Sequence, residues 1–268
     1  MIPQAYITEW SQQVPWIQRE QVEQDLVICR ALLEIYSDEW LGRSLAFRGG
    51  TALHKLYLHP QPRYSEDIDL VQLRSEPIKE TIQRLQHVLS FLGNAAVLPR
   101  KDGIRLVYRY DSEFIQPAKM RLKVEINTRE HFSLLGYEQI DFQVNSSWIS
   151  ETAANSSCRI TTYRLEELLG TKLRALYQRR KGRDLFDLYT ALRQKPAINT
   201  EDLLQSYYEY IRFSVDTPPN RKIYALNVDA KMQDSDFLGD TTALLRPDLI
   251  YDPVEAYEFL RMQLIENM

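Results

Sequence analysis

The sequence predicts an α+β chain: a mixed sheet flanked by helices in its first half, and a mostly helical second half. Three observations carry this. Alternation of apolar and polar residues, or short runs rich in strand formers, recurs at 44–47, 67–70, 96–98, 104–110, 120–127, 138–144 and 158–162, then nearly stops. From residue 164 onward the apolar spacing is that of helices. Between these regimes no Ser/Gly-rich linker appears, so the expected division is a core over 1–155 and a helical domain over 156–268.

Each element has its own signal. Over 17–37, Val22, Leu26, Cys29 and Leu33 follow at steps of four, three and four, one face of an amphipathic helix. The strand at 44–47 runs into Arg48 and the paired Gly49-Gly50. Ala52, Leu53, Leu56 and Tyr57 then predict a helix over 51–58. Pro60 and Pro62 mark a loop before Asp67-Ile68-Asp69-Leu70, whose alternation sets both aspartates on one strand face. Ile78, Ile82, Leu85, Val88, Leu89 and Leu92 predict a helix over 77–92, stopped by Gly93-Asn94. The strand at 120–127 turns Leu122, Val124 and Ile126 one way and Arg121, Lys123, Glu125 and Asn127 the other. Its polar side faces solvent or lines a cleft. Later helices are expected at 164–179, 183–194, 200–214 and 253–266. The segment 215–250, with Pro218-Pro219, reads as irregular with a strand at 223–228.

Composition narrows the function classes. Hydrophobic content of 44% and charged content of 26% are those of an ordinary globular protein. A net charge of −4 excludes a polycation that coats nucleic acid by bulk charge; any such contact needs a local basic patch. Cys29 and Cys158 lack metal-ligand spacing and read as small buried hydrophobes in a reducing compartment. The amino terminus has no signal-peptide pattern, and no stretch is apolar enough to span a bilayer. A cytoplasmic protein without a membrane partner is expected.

Two carboxylates on one strand face repel, and a divalent cation between them relieves the repulsion. A Gly-Gly turn opening a helix offers close backbone approach and N–H groups to a phosphate. Together, Gly49, Gly50, Thr51, Asp67 and Asp69 point to a metal-plus-nucleotide site. The pattern is not the GxxxxGK[ST] phosphate loop. Lys172 stands in the apolar stripe of Leu165, Leu168 and Leu176, either snorkelling at its edge or aimed at an anion. From Lys172 through Arg183 there are six basic residues and no acidic one, and Asp184 and Asp187 then share a helix face. Each piece has a plain alternative: a solvated edge strand for Asp67 and Asp69, a surface carboxylate for Glu125, an Arg183 partner for Asp187. The four histidines show no ligand pairing.

The order GGTxL, RxSxDIDL, KxEIN and EELLxTKLRALxxRxxxRDLFDLY resembles the AbiEii/MenT nucleotidyltransferase toxins, within the DNA polymerase β-like nucleotidyltransferase superfamily. The resemblance covers roughly residues 40–194 and extends loosely through the carboxyl-terminal helices. It implies a polymerase β-like core whose helical domain completes the active-site cleft. Gly49, Gly50 and Thr51 would approach the triphosphate, Ser65 would join them, and Asp67, Asp69 and Glu125 would hold Mg²⁺ or Mn²⁺. Lys172 would meet the triphosphate, and Asp184 or Asp187 would act as a base or orient that lysine. One departure is the long spacer between Gly50 and Asp67, which holds the Pro60–Pro62 loop.

The implied reaction moves a nucleoside monophosphate from an NTP to an acceptor hydroxyl, with a tRNA-like RNA as acceptor and the basic run 172–183 as its holder. The implied setting is a toxin–antitoxin or phage-defence system with a separate antitoxin protein. Two other readings stay open: transfer to a protein or small molecule, and a catalytically silent nucleotide- or RNA-binding module on the same fold.

Overall fold

Alternation in β-strands and 3.6-residue spacing in helices both appear where the residues demand them. A computed structural model describes residues 2–114 and 119–268. The first elements are α1 (Gln4–Ser11), α2 (Arg19–Ser37), α3 (Glu39–Ser44), β1 (Leu45–Arg48) and α4 (Gly49–Ala52), which continues as a π-helical turn over Leu53–Tyr57. Then come β2 (Asp67–Gln72), α5 (Lys79–Val88), β3 (Ala95–Arg100), β4 (Gly103–Asp111), β5 (Lys119–Asn127), β6 (Tyr137–Gln143), α6 (Ser147–Thr152) and β7 (Ser157–Tyr163). Six helices follow: α7 (Leu165–Gln178), α8 (Gly182–Gln194), α9 (Thr200–Ser214), α10 (Arg221–Lys231), α11 (Ser235–Gly239) and α12 (Pro253–Gln263).

The chain forms two compact units. The first comprises 1–56, 64–132 and 137–162; the second comprises 57–63, 133–136 and 163–268. These bounds differ from a single cut after residue 155. Thr162 of β7 is registered with Phe47 of β1 and donates to its carbonyl at 2.7 Å, which ties β7 to the sheet. The short segments 57–63 and 133–136 belong with the helices instead.

All seven strands join one sheet in the order β3-β4-β5-β2-β1-β7-β6. It is mixed: β1 and β2 are antiparallel, as are β3–β4 and β4–β5, whereas β2–β5 and β1–β7 are parallel. One face holds Phe47, Ile68, Leu70, Leu106, Tyr108, Leu122, Val124 and Ile126, all buried. Helices α2 and α5 cover it. Tyr110 donates to Gln24 of α2 at 2.5 Å, and Tyr108 donates to the Leu85 carbonyl of α5 at 3.3 Å. The opposite face carries the charged residues of β2, β4 and β5.

Helix α2 is buried on nearly every side, including Glu23, Gln24 and Asp25, rather than on the single face its spacing predicts. Gln24 and Asp25 find partners inside the unit, and Glu23 accepts from Ser112 through one of its two oxygens. Asp25 accepts from Trp10 (3.0 Å), Trp16 (3.1 Å) and Lys55 (2.7 Å), so the core of the first unit is pinned through one buried ion pair. Burial works against the Lys55 ammonium, yet Asp25 and Cys29 together outweigh it and raise its pKa to about 12.

In the second unit α7 packs on α9 at Gly170, where a Cβ would come within 2.6 Å of Ser206 and 2.8 Å of the Tyr207 nitrogen. Glu167, fully buried in the first turn of α7, accepts from Ser133 Oγ, the Leu134 and Leu135 N–H groups and Tyr210 Oη at 2.6–2.9 Å. That explains why 133–136 belongs to this unit.

Four expectations need correction. Residues 223–228 lie in α10, not a strand: Asn220 caps it by accepting from the Ile223 N–H, and Tyr224, Val228 and Lys231 share its buried side. The β-branched Ile223 and Val228 mimicked a strand, but the four-residue spacing decided. The helix expected over 51–58 starts at Gly49 and passes into the π turn. The expectations over 77–92 and 253–266 end in short 3₁₀ turns. Helices α1, α3 and α6, and α11 within the segment 215–250 expected to be irregular, were not foreseen.

Candidate active site

The first unit builds its site where β1 gives way to α4. Gly49 has φ +80°, in the left-handed region, and a Cβ there would stand 2.1 Å from Asp69 Oδ2. Glycine is therefore required twice over, for the turn and for the approach of its backbone to a carboxylate. Gly50 follows in the first turn of α4. Thr51 is buried, and its hydroxyl donates to the Asp67 carbonyl. Because that uses its single proton, Ser65 donates to Thr51 Oγ1 at 2.8 Å. Thr51 and Ser65 thus clamp the glycine turn to the start of β2.

Register puts the carboxylates in rows. Asp69 pairs with Arg48 on one side and Glu125 on the other, and Glu125 pairs in turn with Arg105. Asp67 is registered with Lys123. Alternation leaves Asp67, Asp69 and Glu125 on the more solvated face while Ile68, Leu70, Val124 and Ile126 are buried, as the sequence predicts. Arg105 holds Glu125 at 2.5–2.7 Å, and Lys123 reaches Asp67 at 3.2 and 3.4 Å. Arg48 pairs with Glu130.

Burial pushes the Asp67 carboxyl up to about 6; Lys123 opposes the shift, while Asp69 and Glu66 add to it. One ammonium therefore leaves this charge incompletely compensated. Among the described residues no three His, Cys, Asp or Glu side chains are grouped to hold a metal ion. Asp67 and Asp69 fit a hard divalent cation by donor type, shared face and the uncompensated charge at Asp67. Glu125 fits only by exchanging Arg105 for the cation.

The second unit assembles the remaining predicted residues. Lys172 of α7 is 6% exposed, and Asp184 and Asp187 of α8 are fully buried. Its Nζ lies 2.7 Å from Asp187 and 3.4 Å from Asp184. Asp187 also accepts a bidentate pair from Arg63 at 2.7 and 2.8 Å, and Asp184 one from Arg179 at 2.6 and 2.7 Å. Three cations and two carboxylates make a chain, Arg179–Asp184–Lys172–Asp187–Arg63, of net charge +1, buried except at its Arg179 end. Lys172 thus does not snorkel, and Asp187 does not pair with Arg183.

Sequence reasoning passed over Arg63, although it opens the RxSxD motif. A fully buried arginine needs a carboxylate, yet nothing local indicates one 124 residues away. The basic run is also paired: Arg180 with Asp234, and Lys181 and Arg183 with Asp240. His54 is buried and His131 contacts the Gln72 carbonyl at 2.7 Å, while His59 and His87 are exposed. No helix among the described residues is long and apolar enough to cross a membrane.

Over residues 30–257 the chain matches the family described as nucleotidyl transferase AbiEii toxin, type IV toxin–antitoxin system. Among curated protein sequences, none matches it. Solved structures similar in fold include the following two. MenT4, a nucleotidyltransferase toxin from Mycobacterium tuberculosis H37Rv, aligns over 100% of this chain and 91% of its own, with TM-score 0.60 and 15% identity. JHP933 from Helicobacter pylori aligns over 92% and 91%, with TM-score 0.53 and 17% identity.

Proposed function

The chain belongs to the AbiEii nucleotidyl transferase toxin family and is a nucleotidyltransferase, and we propose that it moves a nucleoside monophosphate from an NTP to a hydroxyl of a tRNA-like RNA. The observation that carries this reading is Gly49 packed on the Asp69 carboxylate, which makes the phosphate turn and the acidic strand one site. Asp67 and Asp69 would hold Mg²⁺ or Mn²⁺, with Glu125 joining them after release from Arg105. The bound cation supplies neutralisation of triphosphate charge and a lowered pKa for the attacking hydroxyl.

The chain's own residues do the positioning. The Gly49 turn brings backbone N–H groups of the α4 start toward phosphate oxygens, and Thr51 and Ser65 keep that turn in place against β2. In the second unit Asp187, itself fixed by Arg63, sets the position of the Lys172 ammonium, which by family resemblance would serve the triphosphate. Asp187, held between two cations, favours the role of orienter over that of base. A cognate antitoxin, as the family's setting implies, would be a separate protein.

Incubation of purified protein with α-labelled nucleotides and Mg²⁺, with either total tRNA or cell extract, tests the reading. Label is expected in RNA and is expected to vanish for Asp67→Ala. Label in protein alone would move the acceptor to another class. Unchanged transfer by Asp67→Ala would refute the metal assignment.

A further inference from the structure

The sheet face that carries Asp67, Asp69 and Glu125 continues across β4 and β5, and its charges fall in register rows. Arg105 faces Glu125, Lys123 faces Asp67, and Asp111 faces Lys119, so three rows pair opposite charges. The row between the last two is different. Arg109 of β4 stands opposite Arg121 of β5, both side chains are exposed, and among the described residues no carboxylate pairs with either. Like charges directly opposite on neighbouring strands destabilise a sheet, with Cβ atoms about 5 Å apart.

Arginines at that spacing suit a phosphate between them, since each guanidinium offers a planar fork of donors matched to phosphate oxygens. Arg121 also lies two residues from Lys123, the register partner of Asp67, which is about 7 Å along β5. An RNA whose hydroxyl is to react at Asp67 needs its adjoining backbone held at this distance. The inner faces of β4 and β5 are closed by α2 and α5, so the arginines can present to only one side.

We infer that Arg109 and Arg121 form the docking row for the phosphodiester backbone of the RNA acceptor, an inference that rests on the RNA-transfer reading above. This places the acceptor's contact on the sheet of the first unit. It differs from the expectation that the run 172–183 holds RNA; there Arg179, Arg180, Lys181 and Arg183 already have carboxylate partners.

The test is fluorescence anisotropy of labelled unfractionated tRNA with the full chain, over a series of salt concentrations and without nucleotide. Arg109→Ala/Arg121→Ala is expected to weaken tRNA binding at least tenfold, and to reduce the slope of log affinity against log salt by about two. Its affinity for NTP should be unchanged. Because both side chains are exposed and repel each other, the variant should melt at the parent temperature or above, and Arg109→Lys/Arg121→Lys should retain most tRNA binding.

Unchanged tRNA binding by the alanine variant overturns the inference, as does a loss of NTP affinity with tRNA binding intact. So does a loss confined to Arg180→Ala/Lys181→Ala. A parent protein that binds no tRNA also overturns it. Failure of the transfer reading shows separately, as absence of label from RNA in the presence of Mg²⁺ and nucleotide.

Discussion

Two pairs of aspartates, Asp67 with Asp69 and Asp184 with Asp187, look alike in the sequence and are built on opposite principles. The first pair sits at strand spacing on the partly solvated face of the sheet. Among the described residues Lys123 alone pairs with Asp67, at 3.2 Å, with both side chains about a third exposed. The second pair sits at helical spacing with no exposure, and each carboxylate holds an arginine in a bidentate pair and shares Lys172. The difference shows in titration: burial with incomplete compensation raises Asp67 to about 6. A carboxylate left short of positive charge is one a metal ion can complete. A carboxylate already saturated by side chains orients its neighbours instead.

The sharpest way to break this contrast is to neutralise one member of each pair. Asp67→Asn should lower transfer by on the order of 10²–10³-fold, as removal of a preorganised charge-stabilising group does, while the melting temperature holds or rises. Asp187→Asn should fail differently. It leaves Arg63 and Lys172 buried without a full counter-charge, which costs roughly 3–5 kcal/mol and lowers the melting temperature by on the order of 10 °C. Equal melting of the two variants would erase the distinction.

Gly49→Ala probes the first pair from the turn side. The left-handed backbone costs roughly 1–3 kcal/mol for alanine. The new Cβ also meets the Asp69 carboxylate, so transfer should fall more than stability does.

A smaller effect concerns pH. The folded chain holds a proton on Asp67 more tightly than the unfolded chain, since burial raises its carboxyl from 3.8 to about 6. The stabilisation this gives is complete below about pH 4 and is lost as pH rises through 6. In EDTA, Asp67→Asn should therefore gain in melting temperature over the parent between pH 4 and 7. Added Mg²⁺ should raise the parent alone. Parallel melting curves against pH would contradict the burial of this carboxyl.

The smallest change is expected at the surface. Arg180→Ala removes an exposed partner of Asp234, and the melting free energy should move by less than about 1 kcal/mol.

What the sequence by itself determined is local. Alternation alone set Asp67 and Asp69 on one face and Leu122, Val124 and Ile126 on the other. Four-residue spacing put Lys172 on a helix, and the glycine pair announced a turn. These follow from the period of a strand, the period of a helix and the left-handed conformation open to glycine, none of which needs a distant partner. Tertiary structure decided which groups meet. That Arg63 reaches Asp187, that Gly49 presses on Asp69, that Glu167 gathers the 133–135 loop and that Arg109 faces Arg121 all depend on packing or strand register between remote segments. No short-range pattern encodes them, because a charge carries no mark of its eventual partner. The 223–228 segment shows the limit from the other side: β-branched residues favoured a strand, but burial of Tyr224 and Val228 on one side made the helix win.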